Sequence, residues 1–316
     1  MSKAYIHIGT HKTGSTALQF ALWAHREALA DLGYCYPAAG ISPGTWGHHN
    51  LAWELSGDAR FQSELGTVAD ALNELTSTNV GAIFSSEDFE CTVYNNMAGF
   101  SKFLEALRDR QFEVVVCVYL RNQPDYIRSL YIELLKHGLC QPFDHFVGSA
   151  LSGHGVIRWK QWAFPLCYRD FLRRIEAIHP GEIRVRSYDA ARNSIVDDFF
   201  PMLDLQPALL GIDNELRMNE RLPLPESFSL FCKNLGLSAF DTSALLEVLA
   251  GGKVPPLSLR CQSEILKRFD QSNKELAKTY GLEIPVLVDK GPTIKNGLWF
   301  DDIFSEELVK KLRHPG

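Results

Sequence analysis

Residues 5–16, which read YIHIGTHKTGST, place a short apolar strand directly before a glycine-bearing loop and an amphipathic helix. This order of elements lets backbone N–H groups of the loop and the helix start surround a phosphate group. Gly9 and Gly14 keep the spacing of the nucleotide-binding pattern G-x-x-x-x-G-K-[ST]. Ser15 stands where that pattern has its lysine, and Lys12 is the lysine of this loop. The stretch therefore predicts an anion-binding loop with a displaced cation.

The chain has 316 residues, of which 46% are hydrophobic, enough for the core of one large α/β domain or two small ones. Its formal net charge of −6 argues against a general nucleic-acid surface, so no nucleic-acid partner is expected. The seven cysteines include no C-x-x-C pair, which favours neither a zinc ribbon nor a dithiol redox site. The first strand begins near residue 3 and no apolar run reaches about 18 residues, so we expect a cytoplasmic protein without membrane insertion.

Apolar runs separated by helical patterns organise the first 200 residues. Further strands are predicted at residues 81–84, 112–120 and 183–186, the last of them near a sheet edge. Helices are predicted at residues 17–32, 61–75, 100–107, 124–134, 159–178 and 195–203. Residues 36–50 are expected to form a long irregular connection, and residues 138–156 a loop or lid apart from a turn at residues 143–147.

This alternation predicts an α/β fold, a parallel β-sheet covered by helices on both faces. Helical patterns recur near residues 226–235, 242–250 and 258–280, and segments that contain proline separate them. The C-terminal third is therefore expected to be mostly helical. We expect a single domain over residues 1–316. Its α/β core would span residues 1–205, with residues 206–316 as a helical extension packed on it.

A second strand-to-helix junction begins at Arg121, where the apolar run 112–120 ends. Pro124 suits a first helical turn, and Asp125 complements the N-terminal helix dipole. In a parallel sheet both junctions fall at the carboxyl ends of strands, where open α/β folds bind ligands. The Arg121 guanidinium can donate two parallel hydrogen bonds to a phosphate, and the Ser129 hydroxyl can donate another. Together the junctions predict an anion with two charged ends, unless Arg121 pairs with a carboxylate such as Asp125.

The two junctions resemble those of the sulfotransferases that use 3′-phosphoadenosine 5′-phosphosulfate (PAPS). Members of that family bind the 5′-phosphosulfate with a lysine-containing loop on the first strand–helix turn. They bind the 3′-phosphate with a strand-end arginine and a serine eight residues later, which Arg121 and Ser129 match. The loop motif is matched by His11, Lys12, Thr13, Gly14, Ser15 and Thr16. Residues 218–221 resemble a late loop that approaches the nucleotide in the family.

The resemblance covers about residues 3–200. It implies a P-loop-type fold, PAPS as the sulfuryl donor, 3′,5′-adenosine bisphosphate as the product and no metal. The sulfuryl group in transit carries less negative charge than a phosphoryl group, so a metal is less needed than in phosphoryl transfer. Lys12 near the bridging oxygen would stabilise the leaving phosphate, and its removal is expected to lower the rate by about 10²–10³.

An acceptor hydroxyl or amine also needs a base on the far side of the sulfur. The first candidate is Glu87, at the end of the strand predicted over residues 81–84, because related sulfotransferases often use a glutamate. Others use a histidine, so His48 and His49 in the long connection are the alternative. We expect His11 to shape the loop or contact PAPS, and its spacing from His7 across a strand and a turn does not predict a zinc site.

The sequence thus predicts an enzyme, a PAPS-dependent sulfotransferase that acts on a hydroxyl or amine of a carbohydrate, glycolipid or small-molecule acceptor. Trp46, Trp159 and Tyr188 either stack on adenine or a sugar, or belong to the core. Two other functions stay open. A P-loop kinase or NTPase with an atypical lysine position would bind ATP with Mg²⁺, and a non-catalytic nucleotide-binding protein would need no base.

Overall fold

The computed structural model describes residues 2–76, 78, 80–206, 222–237, 254–282, 284 and 299–313. Contacts between residues divide the chain into two compact units. The first unit comprises Met1–Arg121, Arg158–Asn219 and Ser272–Ile284, and the second comprises Asn122–Ile157, Glu220–Gln271 and Pro285–Gly316. The single domain over residues 1–316 stays a prediction.

A five-stranded sheet forms the centre of the first unit. In chain order its strands are β1 (Lys3–His7), β2 (Tyr34–Cys35), β3 (Gly81–Ser85), β4 (Glu113–Leu120) and β7 (Glu182–Ser187). Their spatial order is β2-β3-β1-β4-β7, and every neighbouring pair is parallel. The predicted parallel sheet is confirmed, and so is the edge position of the strand predicted at residues 183–186. The two-residue strand β2 was not predicted, because it is too short to show a pattern.

Both faces of the sheet are buried, as the continuous apolar runs predicted. Side chains at alternate positions of β1, Ala4 and Ile6, belong to one hydrophobic cluster together with residues of several helices. Tyr5, between them, belongs to a second cluster on the opposite face. This alternation follows from the two-residue period of a strand. Helices therefore cover the sheet on both faces, which confirms the predicted α/β class.

The helices follow in chain order. Up to residue 136 they are α1 (Ser15–Ala24), α2 (Arg26–Asp31), α3 (His49–Ser56), α4 (Val68–Asn73), α5 (Phe89–Asn95), α6 (Met97–Asp109) and α7 (Gln123–Lys136), with a short 3₁₀ turn at Ser63–Leu65. The later ones are α8 (Phe143–Ser152), α9 (Tyr168–Ile178), α10 (Tyr188–Ala191), α11 (Ile195–Met202), α12 (Leu224–Asn234), α13 (Leu259–Tyr280), α14 (Phe300–Ile303) and α15 (Glu306–Arg313). The described part of the C-terminal third is helical, as predicted. Across the described ranges, every helix is too short or too polar to span a lipid bilayer.

Three local predictions were wrong. The helix predicted at residues 159–178 begins only at Tyr168, because β5 (Val156–Trp159) and β6 (Trp162–Pro165) precede it as a two-stranded sheet. Residues 138–156 contain α8 rather than a loop, since Phe143, Phe146, Val147 and Ala150 are buried along one face of that helix. The helix predicted at residues 61–75 is reduced to the 3₁₀ turn and α4. Predictions at residues 218–221 and 242–250 lie outside the described residues.

Candidate functional site

Three neighbouring strands of the first unit end at the same edge of the sheet. β1 lies between β3 and β4, and all three run parallel, so their carboxyl ends are adjacent. Glu87 follows β3, the 9–16 loop follows β1, and Arg121 follows β4. The sheet order therefore places the loop between the carboxylate and the guanidinium.

The 9–16 loop has the backbone of an anion cradle. Lys12 and Gly14 both lie in the left-handed region, with φ of 63° and 77°. The N–H groups of Ala17 and Leu18 both donate to the Gly14 carbonyl oxygen. The two N–H groups that precede them in α1, those of Ser15 and Thr16, therefore have no acceptor within the helix. These N–H groups and the positive end of the helix dipole favour a bound anion.

Close packing inside the loop fixes its path. The Thr13 hydroxyl donates to the Thr10 carbonyl oxygen, and the Thr10 hydroxyl donates to the Tyr119 carbonyl oxygen at 3.0 Å. A Cβ atom on Gly9 would lie 2.9 Å from the Nε2 atom of His7, which is why this position takes glycine. Because the Thr13 hydroxyl proton is used within the loop, the cradle consists of backbone N–H groups, Ser15 and Thr16.

Arg121 contacts the loop directly. Its Nη1 donates to the Lys12 carbonyl oxygen at 2.9 Å, and its own carbonyl oxygen accepts from the Tyr168 hydroxyl at 2.6 Å. The guanidinium carbon lies 5.2 Å from the centre of the Tyr188 ring, and the residue is buried. The two predicted anion motifs are therefore in contact through Arg121 and Lys12.

Two residues of the second junction belong to the second unit. Asp125 pairs with Arg128 at 2.7 Å within α7, so its carboxylate has a partner on its own helix. Ser129 lies in the same helix, with little of the residue exposed. Its contact with a 3′-phosphate stays a prediction.

Glu87 and His49, the two candidates for the base, are neighbours in the structure. His49 Nε2 lies 3.8 Å from Glu87 Oε2, and the same oxygen accepts a hydrogen bond from Gln19 Nε2 at 2.8 Å. Burial alone raises the pKa of Glu87, but the His49 and His11 rings and the Gln19 amide hold it at about 2. Glu87 is therefore ionised throughout the physiological pH range.

His48 has a different environment from the residue that follows it. Its Nε2 donates to the Pro37 carbonyl oxygen at 3.0 Å, and its Nδ1 accepts from the Ser85 N–H at 3.1 Å. Burial lowers the pKa of His48 to about 3. With both nitrogens bonded to the backbone, this ring holds the 36–50 connection against β3, which leaves His49 as the histidine beside Glu87.

His11 is anchored by a buried carboxylate. Its backbone N–H donates to Glu90 Oε1 at 3.3 Å, and its ring Nδ1 bonds to the same oxygen. Burial lowers the pKa of His11, but Glu90, Asp88 and Glu87 outweigh this and raise it to about 9. Burial raises the pKa of Glu90 to about 7, although His11 opposes that shift. His11 is thus an imidazolium at neutral pH, and its amide is not part of the cradle.

His7 and His11 have separate hydrogen-bond partners. His7 Nδ1 hydrogen-bonds to the Ser85 hydroxyl at 2.8 Å, and burial lowers the pKa of His7 to about 4. In the described part of the chain, one group has spacing suited to a metal ion. It lies in the second unit and consists of Asp144, His145 and Glu306.

A stack of aromatic rings with the Arg60 guanidinium between them extends from His49. Trp53 lies parallel to His49, with ring centres 6.2 Å apart, and Arg60 stacks on Trp53 at 4.6 Å. Arg60 also stacks on Trp162 at 5.0 Å, and Trp162 lies parallel to Trp159 at 5.5 Å. The predicted aromatic Trp159 is thus part of this stack. We call these five residues the Trp–Arg stack.

The other two predicted aromatic residues lie elsewhere. Trp46 packs edge-on against Phe20, with ring centres 4.9 Å apart, which is a packing role. Tyr188 lies beneath Arg121 and next to Gly14, where its ring would be 3.3 Å from an added Cβ. Tyr188 therefore borders both anion motifs.

Sequence reasoning missed several polar residues of this region. Asp88 accepts a hydrogen bond from Trp53 Nε1 at 2.7 Å and lies 3.6 Å from both the His11 and the His49 rings. Gln19 comes from α1 and Glu90 from α5. Glu90 lies one helical turn after Glu87, but nothing in a single sequence shows that its carboxylate is turned toward His11.

A cavity of about 320 Å³ opens beside the Trp–Arg stack, lined by Ser56, Gly57, Asp58, Ala59, Arg60, Asn95 and Gln161. Arg60 Nη1 lies 3.8 Å from Asp88 Oδ2. Arg60 therefore both lines the cavity and lies close to a carboxylate of the site.

Comparisons with protein-family models, curated proteins and solved structures found no match to this chain.

Proposed function

We propose that this protein is a PAPS-dependent sulfotransferase on a P-loop-type α/β fold. The observation that carries the proposal is the order of three groups along one sheet edge. Glu87, the 9–16 loop and Arg121 follow three adjacent parallel strands. In-line sulfuryl transfer requires a base for the acceptor on the side of the sulfur opposite the leaving 5′-phosphate. The observed order puts a carboxylate on one side of the loop and, on the other side, a cation suited to the 3′-phosphate.

The residues of the loop fit a phosphosulfate. The free N–H groups at the start of α1, with the Ser15 and Thr16 side chains, supply hydrogen-bond donors. Lys12 supplies charge, and its left-handed backbone turns its carbonyl oxygen to Arg121. Such strained non-glycine residues are concentrated at functional sites. The nearby Glu87, Asp88 and Glu90 would repel an anion, but the charged His11 and Arg60 lie among them and offset part of their charge.

In the proposed reaction Glu87 accepts the proton of the acceptor hydroxyl or amine as the new bond to sulfur forms. Lys12 stabilises the negative charge that develops on the leaving 5′-phosphate oxygen. Arg121, supported by Tyr188, holds the 3′-phosphate. No step calls for a metal ion, since Lys12 and the loop N–H groups carry the charge. The acceptor is a hydroxyl or amine of a carbohydrate, glycolipid or small molecule.

Calorimetric titration with 3′,5′-adenosine bisphosphate tests the proposal. We expect saturable binding that is unchanged by Mg²⁺. Replacement of Arg121 by methionine should weaken bisphosphate binding about 10–100-fold, the effect of one charge-assisted contact. Binding of 5′-AMP is the matched control, since it lacks the 3′-phosphate but uses the same loop, and it should change by less than about threefold.

Lys12→Ala should lower the transfer rate by about 10²–10³. Lys3→Ala is the control, because Lys3 lies at the opposite end of β1 and pairs with Asp204. Failure of the parent to bind the bisphosphate with or without Mg²⁺ would overturn the proposal. Mg²⁺-dependent binding of ATP in preference to the bisphosphate would instead establish the kinase or NTPase alternative.

A further inference from the structure

Gln19 is a polar residue on the buried side of α1, the helix that follows the 9–16 loop. It is only 1% exposed. Its buried neighbours along the helix are apolar: Ala17, Leu18, Ala21 and Leu22. Burial of an amide lowers stability unless the amide is hydrogen-bonded, so packing alone would favour an apolar residue here. The Gln19 amide has a specific partner, because its Nε2 donates to Glu87 Oε2 at 2.8 Å.

The position of Gln19 connects Glu87 to the start of α1. Gln19 lies four residues after Ser15, on the same face of the helix and about 6 Å further along its axis. A helical side chain leans toward the N-terminus of its helix, so the Gln19 amide is turned back toward the start of α1. One rigid element therefore carries both the N–H groups proposed for the phosphosulfate and the amide that holds Glu87.

Gly47 packs directly against the Gln19 amide. A Cβ atom on Gly47 would lie 2.6 Å from Gln19 Cδ, 2.8 Å from Gln19 Nε2 and 2.8 Å from His49 Nε2. The backbone of Gly47 is held in place, because its carbonyl oxygen accepts from the Ser42 N–H at 3.0 Å and the next N–H, of His48, donates to the last carbonyl oxygen of β3 at 2.7 Å. Gly47 lies outside the left-handed region, so the close approach is what excludes a side chain. The glycine thus leaves the space from which Gln19 reaches Glu87.

We propose that Gln19 is a positioning residue for Glu87 and that Gly47 keeps the space for its amide. This inference rests on the proposed sulfotransferase function. Gln19 Nε2 and His49 Nε2 both approach Glu87 Oε2, at 2.8 Å and 3.8 Å, so the acceptor proton goes to Oε1. As it moves, a lone pair of the acceptor forms the bond to sulfur, and the pair of the breaking sulfur–oxygen bond goes to the 5′-phosphate. Because Oε2 is held from α1, Oε1 keeps a fixed distance from a sulfuryl group bound at the start of that helix.

Single-turnover hydrolysis of PAPS, with water in place of the acceptor, tests this role. Gln19→Met keeps the length of the side chain but removes the donor, and it should lower the rate about 10–100-fold, the effect of a misplaced catalytic group. Gly47→Ala keeps both Gln19 and Glu87 but displaces the amide, so it should lower the rate over the same range. Gln262→Met is the matched control, because Gln262 is also a buried glutamine, whose Nε2 donates to the Leu257 carbonyl oxygen at 2.7 Å. It should leave the rate unchanged.

The same substitutions in a Glu87→Gln background separate positioning from a general structural effect. The base is already lost in that background, so neither Gln19→Met nor Gly47→Ala should lower the remaining rate further. Such non-additivity is the mark of residues that act through one another. Equal losses with and without the Glu87 carboxylate would show that the two substitutions act on the fold or on PAPS binding, which would overturn the positioning role.

Calorimetry with 3′,5′-adenosine bisphosphate separates this inference from the proposed function. A parent that does not bind the bisphosphate overturns the sulfotransferase proposal itself. Gln19→Met and Gly47→Ala should bind it as the parent does, and weaker binding would place their effect at the donor site and overturn the positioning role. If both variants bind it and hydrolyse PAPS at the parent rate, that role alone is overturned. A parent that binds but hydrolyses no PAPS also overturns it, because Glu87 then activates no water.

Discussion

At the scale of single residues, Gly9 is the position where the loop leaves least room. A Cβ atom there would lie 2.9 Å from both Cε1 and Nε2 of the His7 ring and 3.5 Å from the Thr13 hydroxyl. The His7 ring cannot easily withdraw, because its Nδ1 bonds to the Ser85 hydroxyl and Phe199 packs against it at 4.9 Å. The glycine is required by a side-chain contact, since its backbone is not in the left-handed region.

Gly9→Ala should therefore lower the free energy of unfolding by about 1–3 kcal/mol, the usual cost of overpacking. Urea denaturation measures this change. Gly148→Ala is the control, because Gly148 lies inside α8 with no atom within 4 Å of the added Cβ, and it should be neutral or stabilising. In a His7→Ala background the cost of Gly9→Ala should shrink, since the ring is gone. Equal costs in the two backgrounds would contradict the proposed contact.

At the scale of elements, the Trp–Arg stack joins α3 to β6. Trp53 belongs to α3 and Trp162 to β6, and the Arg60 guanidinium lies between their rings. Asp58 holds that guanidinium with two hydrogen bonds, at 3.0 Å and 2.8 Å. Because Trp53 also donates to Asp88, the stack helps to hold the carboxylate that follows Glu87 in the chain.

Arg60→Ala should lower the free energy of unfolding by about 2 kcal/mol, because two cation–π contacts and a partly buried ion pair are lost together. Arg173→Ala is the matched control. Arg173 also pairs with two carboxylates, Asp170 and Glu275, but its side chain is 53% exposed, so its loss should cost about 0.5 kcal/mol or less. Urea denaturation of both variants tests this difference, and similar costs would show that the stack contributes no more than a surface ion pair.

At the scale of the whole molecule, buried neutral histidines make stability depend on pH. Burial lowers the pKa of His7 to about 4 and that of His48 to about 3, while the unfolded chain protonates both near pH 6.5. Their contribution is fully present above pH 6.5 and is lost as the pH falls, since the unfolded state then binds more protons. Glu90, with a pKa raised to about 7, has the opposite effect between about pH 4.5 and pH 7.

The substitution His48→Gln isolates the contribution of His48 to the pH dependence of the unfolding free energy. Between pH 6.0 and pH 5.0 the parent should lose about 1 kcal/mol more of its unfolding free energy than His48→Gln does. His11 does not affect this comparison, because its pKa is raised to about 9 and it is protonated in both states below pH 6. Urea denaturation at the two pH values measures the difference. Identical losses in the parent and the variant would show that folding does not lower the pKa of His48.

Local patterns in the sequence were sufficient for the sheet and for the backbone of the loop. The strand patterns at residues 81–84 and 112–120 were confirmed, because a strand buried on both faces is a continuous apolar run. The strand at residues 183–186 was confirmed from its alternation of apolar and basic residues, which suits a strand at the sheet edge. The loop at residues 9–16 was placed between β1 and α1 from its glycine spacing, and its binding of an anion stays a prediction. Arg121 was placed at a strand end by the same local reasoning, and its contact with Lys12 follows from the adjacency of β1 and β4.

The sequence by itself determined the class of the fold and the position of the loop, because both depend on neighbours along the chain. The tertiary structure alone decided which polar side chains meet there. Gln19 reaches Glu87 across 68 residues, and His48 and His49, adjacent in sequence, have different partners. The protonation of these side chains depends on burial and on charges from distant elements, since the field of a charge acts through space. The displaced Lys12 could therefore be recognised in the sequence, but the contacts of His11 and His49 with Glu87, Asp88 and Glu90 could not.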